Sequence, residues 1–167
     1  NRQETNKNSI NYVAWCWKAG GAAVSNTDGT ITSQVSASTD YGFSIVSFTG
    51  TGANASIGHG LNTVPKLIFA KSRSASDNWF VYHSSIGANG YIMLNSGAAA
   101  DTSNSTVWQN VTPTSDVFYA STGGYNDSGV TLIAYAWSEV AGFSKFGSYT
   151  GNGSATGPVV TTGFKPR

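Results

Sequence analysis

The chain has 167 residues, a formal net charge of +1, 10% charged and 13% aromatic residues, and a single cysteine. This length suits one domain, the aromatic content is too high for a disordered chain, and one cysteine rules out an internal disulfide framework. The balanced charge offers no basic stripe for nucleic acid, no apolar run is long enough to insert into a membrane, and the mixture is typical of an extracellular or virion β-protein.

Alternating side chains predict β-strands along most of the chain. The first predicted strand is YVAWCW at 12–17, in which Val13, Trp15 and Trp17 share one face. Segments rich in Gly, Asn, Asp, Ser and Thr separate it from the later ones and predict turns. In chain order the later predicted strands are Phe43–Thr49, Lys66–Lys71, Trp79–His83, Tyr91–Asn95, Ser105–Trp108, Asp116–Ala120, Thr131–Trp137 and Phe143–Tyr149.

The spacing of these strands predicts the fold class. No stretch has the 3.6-residue apolar period of a helix, and many short strands divided by turns favour an all-β sandwich, jelly-roll or lectin-like. A small β-barrel is the alternative. KLIFAK, at 66–71, is apolar on both faces and is predicted to be a central, covered strand. The same alternation assigns a set of large side chains to the core: Phe43, Ile45, Leu67, Phe69, Tyr135 and Trp137.

One sequence pattern occurs twice. GFSIVSFTGTG at 42–52 is similar to GFSKFGSYTGNG at 142–153, and YVAWCW at 12–17 is similar to LIAYAW at 132–137. Self-similarity in the same order is typical of repeat architectures, although one closed domain with internal pseudo-symmetry is the rival interpretation. We interpret the chain as a window on a tandem array, with a linker or tail at 1–11, the end of a preceding repeat and its connecting segment at 12–41, a central sandwich repeat at 42–142, and the start of a following repeat at 143–167.

The repeated motifs belong to longer, specific strings: VAWCWKAGG at 13–21, SNTDGTITSQVSASTDYGFSIVSFTGTG at 25–52, IGHGLNTVPKLIFAKSR at 57–73 and AGFSKFGSYTGNGSATGPVVTTGFKPR at 141–167. These strings resemble a largely uncharacterised family of repeat domains in tail-associated, tail-fibre-like proteins of marine bacteriophages. Repeats of that family occur in tandem or beside concanavalin-like lectin domains. The resemblance extends over nearly the whole chain from Asn11 onward, and it implies a location in the virion, outside cells.

No arrangement of residues predicts catalysis. The chain has no GxSxG motif and no evident pair of facing carboxylates of the kind that glycosidases use. Two histidines and scattered aspartates do not make a zinc site, so we expect no metal, no cofactor and no enzymatic activity. Cys16, which corresponds to Ala136 in the repeat, is expected to fill a small apolar site. The aspartates lie in or beside predicted turns: Asp28, Asp40, Asp77, Asp101, Asp116 and Asp127.

Trp79, Trp108 and His59 are the candidate ligand-binding residues. Both tryptophans have polar neighbours in sequence, and an exposed indole can stack on a pyranose ring while Asn, Ser and Thr bind its hydroxyls. His59 lies between two glycines, where a ligand or another backbone segment can approach closely. The competing interpretation places the tryptophans in the core or in a subunit interface, and the histidine in a turn, bonded to a loop carbonyl.

We therefore expect a non-catalytic structural or adhesive virion protein, a tail-fibre-like module that contacts host surface glycans or spaces other domains. The alternatives are a secreted bacterial carbohydrate-binding or adhesin module, and a fragment of a polysaccharide depolymerase. Low charge, many aromatic residues and no disulfide favour extensive contacts between subunits. The expected partners are copies of the same chain or other virion proteins, with host surface glycans as a candidate ligand. We expect no nucleic acid partner and no insertion into a membrane.

Overall fold

The computed structural model describes residues 7–166, so residues 1–6 of the predicted linker or tail, and Arg167, lie outside the described residues. The described range contains nine β-strands and no helix, hence none that could cross a bilayer. The strands are β1 Val24–Asn26, β2 Ser33–Ser38, β3 Phe43–Thr49, β4 Ala55–Gly58, β5 Leu67–Ser72, β6 Phe80–His83, β7 Ile92–Met93, β8 Val117–Ala120 and β9 Thr131–Trp137.

The strands form two antiparallel sheets. The larger has seven strands in the order β1-β2-β3-β9-β5-β6-β7, and the smaller pairs β4 with β8. The two sheets enclose one hydrophobic core, so the predicted all-β sandwich is confirmed. The order of the large sheet is open, with β1 and β7 at its two edges, and the described strands therefore do not close into the alternative barrel.

Strand prediction succeeded for the three apolar strands at the centre of the large sheet. β3, β5 and β9 lie inside the large sheet, and β5 has the predicted position between two other strands. The predicted strands at 12–17, 105–108 and 143–149 are wrong, because these residues form turns or extended chain without a strand ladder. β1, β2 and β4 were not predicted, because small and polar residues dominate their short sequences and give little apolar alternation.

The face of the large sheet that looks toward β4 and β8, here called the inner face, carries the main core. Its residues are small or aliphatic at most positions, and large rings reach them from the opposite side, as in the edge-to-face contact of Phe48 with Phe118 at 6.1 Å between ring centroids. The inner-face members are Val46, Phe48, Ile68, Ala70, Leu132, Ala134 and Ala136; the members from β8 and the loops include Trp108, Phe118 and Tyr125.

The large residues assigned to the core lie on the opposite, outer face of the sheet. The strand register shows that they share this face, because directly paired residues point to the same side of a sheet: Phe43 is paired with Trp137, and Trp137 with Leu67. Along each strand these residues alternate with inner-face residues such as Ala136. Phe43 and Trp137 are buried, as predicted, although outside the main core cluster. The prediction was wrong for the residues that are only half-buried: Ile45, Leu67, Phe69 and Tyr135.

The two similar glycine stretches share a turn but not a strand. Gly42 and Gly142 both lie in a turn and have positive φ, 59° and 74°. The first leads into β3, whereas residues 143–149 continue without a ladder. β1 and β2 extend the sheet of β3, so this sandwich includes strands from upstream of the predicted unit boundary at 42. The division of the chain into repeats stays a prediction.

Candidate functional site

His59 lies in the interior, immediately after β4, with both ring nitrogens engaged. Its Nδ1 accepts a hydrogen bond from the backbone N–H of Leu61 at 3.1 Å, so Nε2 carries the proton and donates to the carbonyl oxygen of Thr114 at 3.2 Å. Burial lowers the pKa of the imidazole, partly offset by the Thr114 bond and by the charges of Asp116 and Asp28. His59 is therefore a neutral histidine that joins two loops, in agreement with the interpretation of a turn histidine bonded to a loop carbonyl.

Trp108 is equally remote from solvent, with 1% of its surface exposed. Its ring packs against Tyr125 at 5.3 Å and against Tyr82 at 5.9 Å between centroids. Both tyrosines are themselves buried, and this burial raises the pKa of each phenol. Trp108 therefore lies in the core, as the competing interpretation placed it, because the residues around it form a turn that directs the indole inward.

Trp79 differs from the other two candidates because it lies on the outer face and keeps part of its surface in solvent. Its ring is nearly parallel to that of Tyr135, with 6.4 Å between centroids and 17° between planes. Its backbone N–H donates to Oδ1 of Asn95 at 3.0 Å, and Nδ2 of Asn95 donates to Oδ1 of Asn78 at the same distance. Two amide side chains are therefore linked to each other and to the backbone of Trp79.

Trp79 is one end of a continuous group of rings that we call the outer aromatic belt. Trp137 lies near its centre, 5.1 Å from Phe43 and 5.0 Å from Phe69 between centroids. Each ring therefore has an aromatic neighbour within the distance range that favours aromatic pairs. The belt crosses several strands of the large sheet, and its members are Trp17, Phe43, Phe69, Trp79, Tyr135 and Trp137.

A small apolar cavity adjoins the belt where the two terminal segments reach the sheet. It has a volume of about 140 Å³ and is lined by Trp17, Tyr41, Leu67, Phe69, Trp137, Phe143, Ser144 and Phe146. Its walls come from both ends of the chain and from the sheet between them. The alternating pattern identified the aromatic residues, but it carries no information on which face meets solvent.

The acidic side chains make local contacts. Oδ1 of Asp101 accepts from the backbone N–H of Ser103 at 3.0 Å, as in an Asx turn, and Asp77 accepts the hydroxyl of Ser72. Across residues 7–166, no group of three or more His, Cys, Asp or Glu side chains could hold a metal ion. Cys16 is exposed, so the expectation that it fills a small apolar site was wrong.

The family model described as a domain of unknown function (DUF7483) matches residues 1–167. The chain belongs to this family. No curated protein and no solved structure matches the chain. The family description gives no activity, so the outer aromatic belt is the feature from which function is argued, and the resemblance to bacteriophage repeat domains stays a prediction.

The burial of His59 has a consequence for stability at mild acid pH. Its pKa is lowered in the folded state, whereas an unfolded histidine titrates near pH 6.5. As pH falls below about 6.5 the unfolded chain binds a proton that the folded chain does not, and folding weakens by up to about 1.4 kcal/mol per pH unit. We expect wild type to lose stability between pH 7 and pH 5 in urea titrations.

The control is His59→Gln, which cannot titrate. This variant is expected to be less stable at every pH, because the Leu61 and Thr114 bonds change, and to show a flatter dependence on pH over the same interval. Equal slopes for wild type and variant would mean that another group causes the acid sensitivity.

Proposed function

We propose that this protein is a non-catalytic structural and adhesive module of a virion, similar to a unit of a tail fibre, that acts through the outer face of its large sheet. The observation that carries the proposal is the outer aromatic belt. Its half-buried members, among them Phe69 and Tyr135, keep apolar surface in contact with water. Aromatic rings that stay partly exposed on a folded domain are typical of surfaces that bind a partner.

The composition of the inner face supports this proposal. Ala70, Ala134 and Ala136 are buried there and leave room for rings from the other layer of the sandwich. Phe69 of β5 and Tyr135 of β9 therefore lie outside that core, and their half-exposed surface on the outer face is available to a partner. A second layer of protein, or a saccharide chain, would remove their apolar surface from water.

The Trp79 end of the belt is the part best suited to glycans. A pyranose ring could stack on the indole, while Asn78 and Asn95 provide amide donors and acceptors for hydroxyl groups. The Nζ of Lys71 donates to the backbone oxygen of Asp77 at 2.8 Å, which holds the adjacent loop close to the sheet. These features equally favour the alternative of a secreted bacterial carbohydrate-binding module. The genes beside the coding sequence distinguish a virus from a cell.

The adhesive part of the proposal predicts glycan binding that depends on Trp79. On an array of bacterial surface polysaccharides and lipopolysaccharide chains, we expect the intact protein to bind a subset of the glycans. Trp79→Ala should bind the same glycans with at least about tenfold lower affinity, equivalent to about 1.4 kcal/mol. Val111→Ala is the control, because Val111 is 39% exposed and does not belong to the belt. Failure to retain any glycan would contradict adhesion to glycans, and release of reducing ends would contradict a non-catalytic role.

A further inference from the structure

Two segments outside the sandwich carry large apolar side chains in an alternating pattern. We call residues 12–17 the N-terminal segment and residues 143–149 the C-terminal segment. Trp15 is 79% exposed, Phe143 is 56% exposed and Tyr149 is 71% exposed. Neither segment forms a ladder with another strand of the described chain. The C-terminal segment instead makes local contacts, an isolated bridge between Val140 and Ser144 and a hydrogen bond from the N–H of Phe146 to Oε1 of Glu139 at 3.0 Å. Exposed strand-like sequences of this kind can pair with another strand.

The sandwich already contains a pair of strands with matching sequences. The N-terminal segment, YVAWCW, is similar to LIAYAW of β9. The C-terminal segment, FSKFGSY, begins with the same Phe-Ser pair as β3, FSIVSFT, and its later similarity to β3 is shifted by one residue. β3 and β9 are antiparallel neighbours along their whole length, from the pair Phe43 and Trp137 to the pair Thr49 and Thr131. The chain therefore carries, at its two ends, one further copy of each half of its own central strand pair.

We propose that the N-terminal segment of one copy pairs with the C-terminal segment of a second copy, antiparallel and in the register of β3 with β9. Applied to the matched positions, that register places Phe143 opposite Trp17, Ser144 opposite Cys16, and Lys145 opposite Trp15. The inference deepens the structural role proposed above and rests on it, because it names the partner of the assembly as another copy of this chain.

The side chains at these positions suit the pairing. Phe143 with Trp17 repeats the pair Phe43 and Trp137, and Ser144 with Cys16 keeps two small side chains opposite each other, as Ser44 and Ala136 are. The one large difference is Lys145, which stands where β3 has Ile45. Opposite Trp15 its ammonium group can lie over an indole face, an attractive arrangement.

The two segments are already oriented by the sheet. Trp17 contacts the belt residues Phe43 and Trp137, at 6.1 Å and 5.5 Å between centroids, and Phe143 contacts Tyr41 at 6.0 Å. These contacts fix one end of each segment, while Trp15 and Tyr149 stay exposed and accessible to a partner. Within the chain the segments meet only around the small apolar cavity and form no ladder there.

The surface available is of the size that assembly requires. In one contact the N-terminal segment contributes three exposed rings, Tyr12, Trp15 and Trp17, and the C-terminal segment contributes two, Phe143 and Tyr149. At about 150–250 Å² for each large aromatic side chain, these rings supply roughly 300–750 Å² per partner, and the paired backbone adds to this toward the roughly 800 Å² of a stable interface. Because the contact joins different surfaces of the two copies, it is heterologous and propagates into an open chain or a closed ring.

The native cysteine provides a direct test. In the proposed register Cys16 faces position 144 of the next copy, and directly opposed residues of an antiparallel pair lie within the Cα separation that a disulfide spans. We expect Ser144→Cys, oxidised with copper phenanthroline as the electron acceptor, to give a ladder of covalent oligomers. When ¹⁴N- and ¹⁵N-labelled protein is mixed, the peptides that join Cys16 to the new thiol at position 144 should carry mixed label.

Two variants serve as controls. Lys145→Cys places the new thiol on the other face of the ribbon, and we expect at least tenfold slower linkage to Cys16. Cys16→Ser combined with Ser144→Cys should give no ladder. Disulfide-linked peptides from positions 16 and 144 without mixed label would mean that the segments pair within one chain, and equal rates for the variants at 144 and 145 would mean random collision; either result overturns the proposal.

Sedimentation of the uncrosslinked protein separates this proposal from the broader one. Trp15 lies outside the core, so Trp15→Asp should retain the fold in circular dichroism. We expect this variant to raise the dissociation constant of the oligomer at least tenfold and so to favour the monomer. If wild type assembles and W15D assembles equally well, the strand pairing is overturned while the structural role stands. If wild type is a monomer at micromolar concentration, the strand pairing and the proposed assembly both fail.

Discussion

Replacing Trp108 with alanine is expected to lower the free energy of unfolding by about 3–5 kcal/mol. The side chain is 1% exposed and packs on Tyr82 and Tyr125, so its removal leaves a cavity that the alanine-rich inner face cannot fill. A loss of this size is a large fraction of the roughly 5–15 kcal/mol typical of a whole domain. Urea denaturation followed by circular dichroism measures it.

Trp108→Phe is the matched variant. It keeps an aromatic ring and removes the indole Nε1, which is buried and makes no hydrogen bond to the described residues. We expect a smaller loss, about 1.5 kcal/mol or less, because most of the volume is retained and an unpaired polar group is removed. Similar losses for phenylalanine and alanine would show that shape complementarity at this position, rather than ring burial, dominates.

Gly42→Ala is expected to cost about 2–4 kcal/mol, because backbone strain and crowding add at this position. Gly42 has a φ of 59°, a region that costs an L-residue roughly 1–2 kcal/mol. A methyl group there would also lie 2.6 Å from the backbone oxygen of Ser138 and 2.8 Å from Val140. Since the N–H of Ser138 donates to the oxygen of Gly42 at 2.9 Å, relieving the clash would pull apart the start of β3 and the end of β9.

Gly142 is the natural control, because it occupies the same place in the second copy of the motif. Its φ is 74°, but no atom lies within 4 Å of the position that a methyl group on it would take. Gly142→Ala should therefore cost only the backbone term, about 1–2 kcal/mol at most. Thermal or urea denaturation of both variants gives the comparison, and equal losses would mean that crowding at Gly42 is relieved without cost.

The sequence predicts strand positions well where both faces of a strand carry apolar residues, as in β5 and β9. It fails where a strand depends on its neighbours: β2 lies between β1 and β3 although Ser and Ala dominate it. The reverse failure occurs at the two terminal segments, whose alternation is as clear as that of β3. Alternation shows that a segment can join a sheet, but a strand forms only when a partner supplies the hydrogen bonds.

The candidate site illustrates a second limit. Period-two patterning separates Ile133, Tyr135 and Trp137 from the alanines between them, yet it cannot say which group faces the interior. Size suggested the aromatic group, and packing decided otherwise, because Trp108 and Phe118 fill the core from the other layer. His59 and Trp108 could not be assigned from local sequence for the same reason: their surroundings are formed by residues distant along the chain.

The edges of the large sheet are short: β1 has three residues and β7 has two. Brief edges expose few unpaired backbone groups, and this limits side-by-side fusion of sheets from different molecules. Many copies can therefore be crowded at high local density, as on the surface of a particle, without merging laterally into aggregates. Under the proposed pairing of the terminal segments, growth would be confined to one direction, which is the requirement for a filament of constant width.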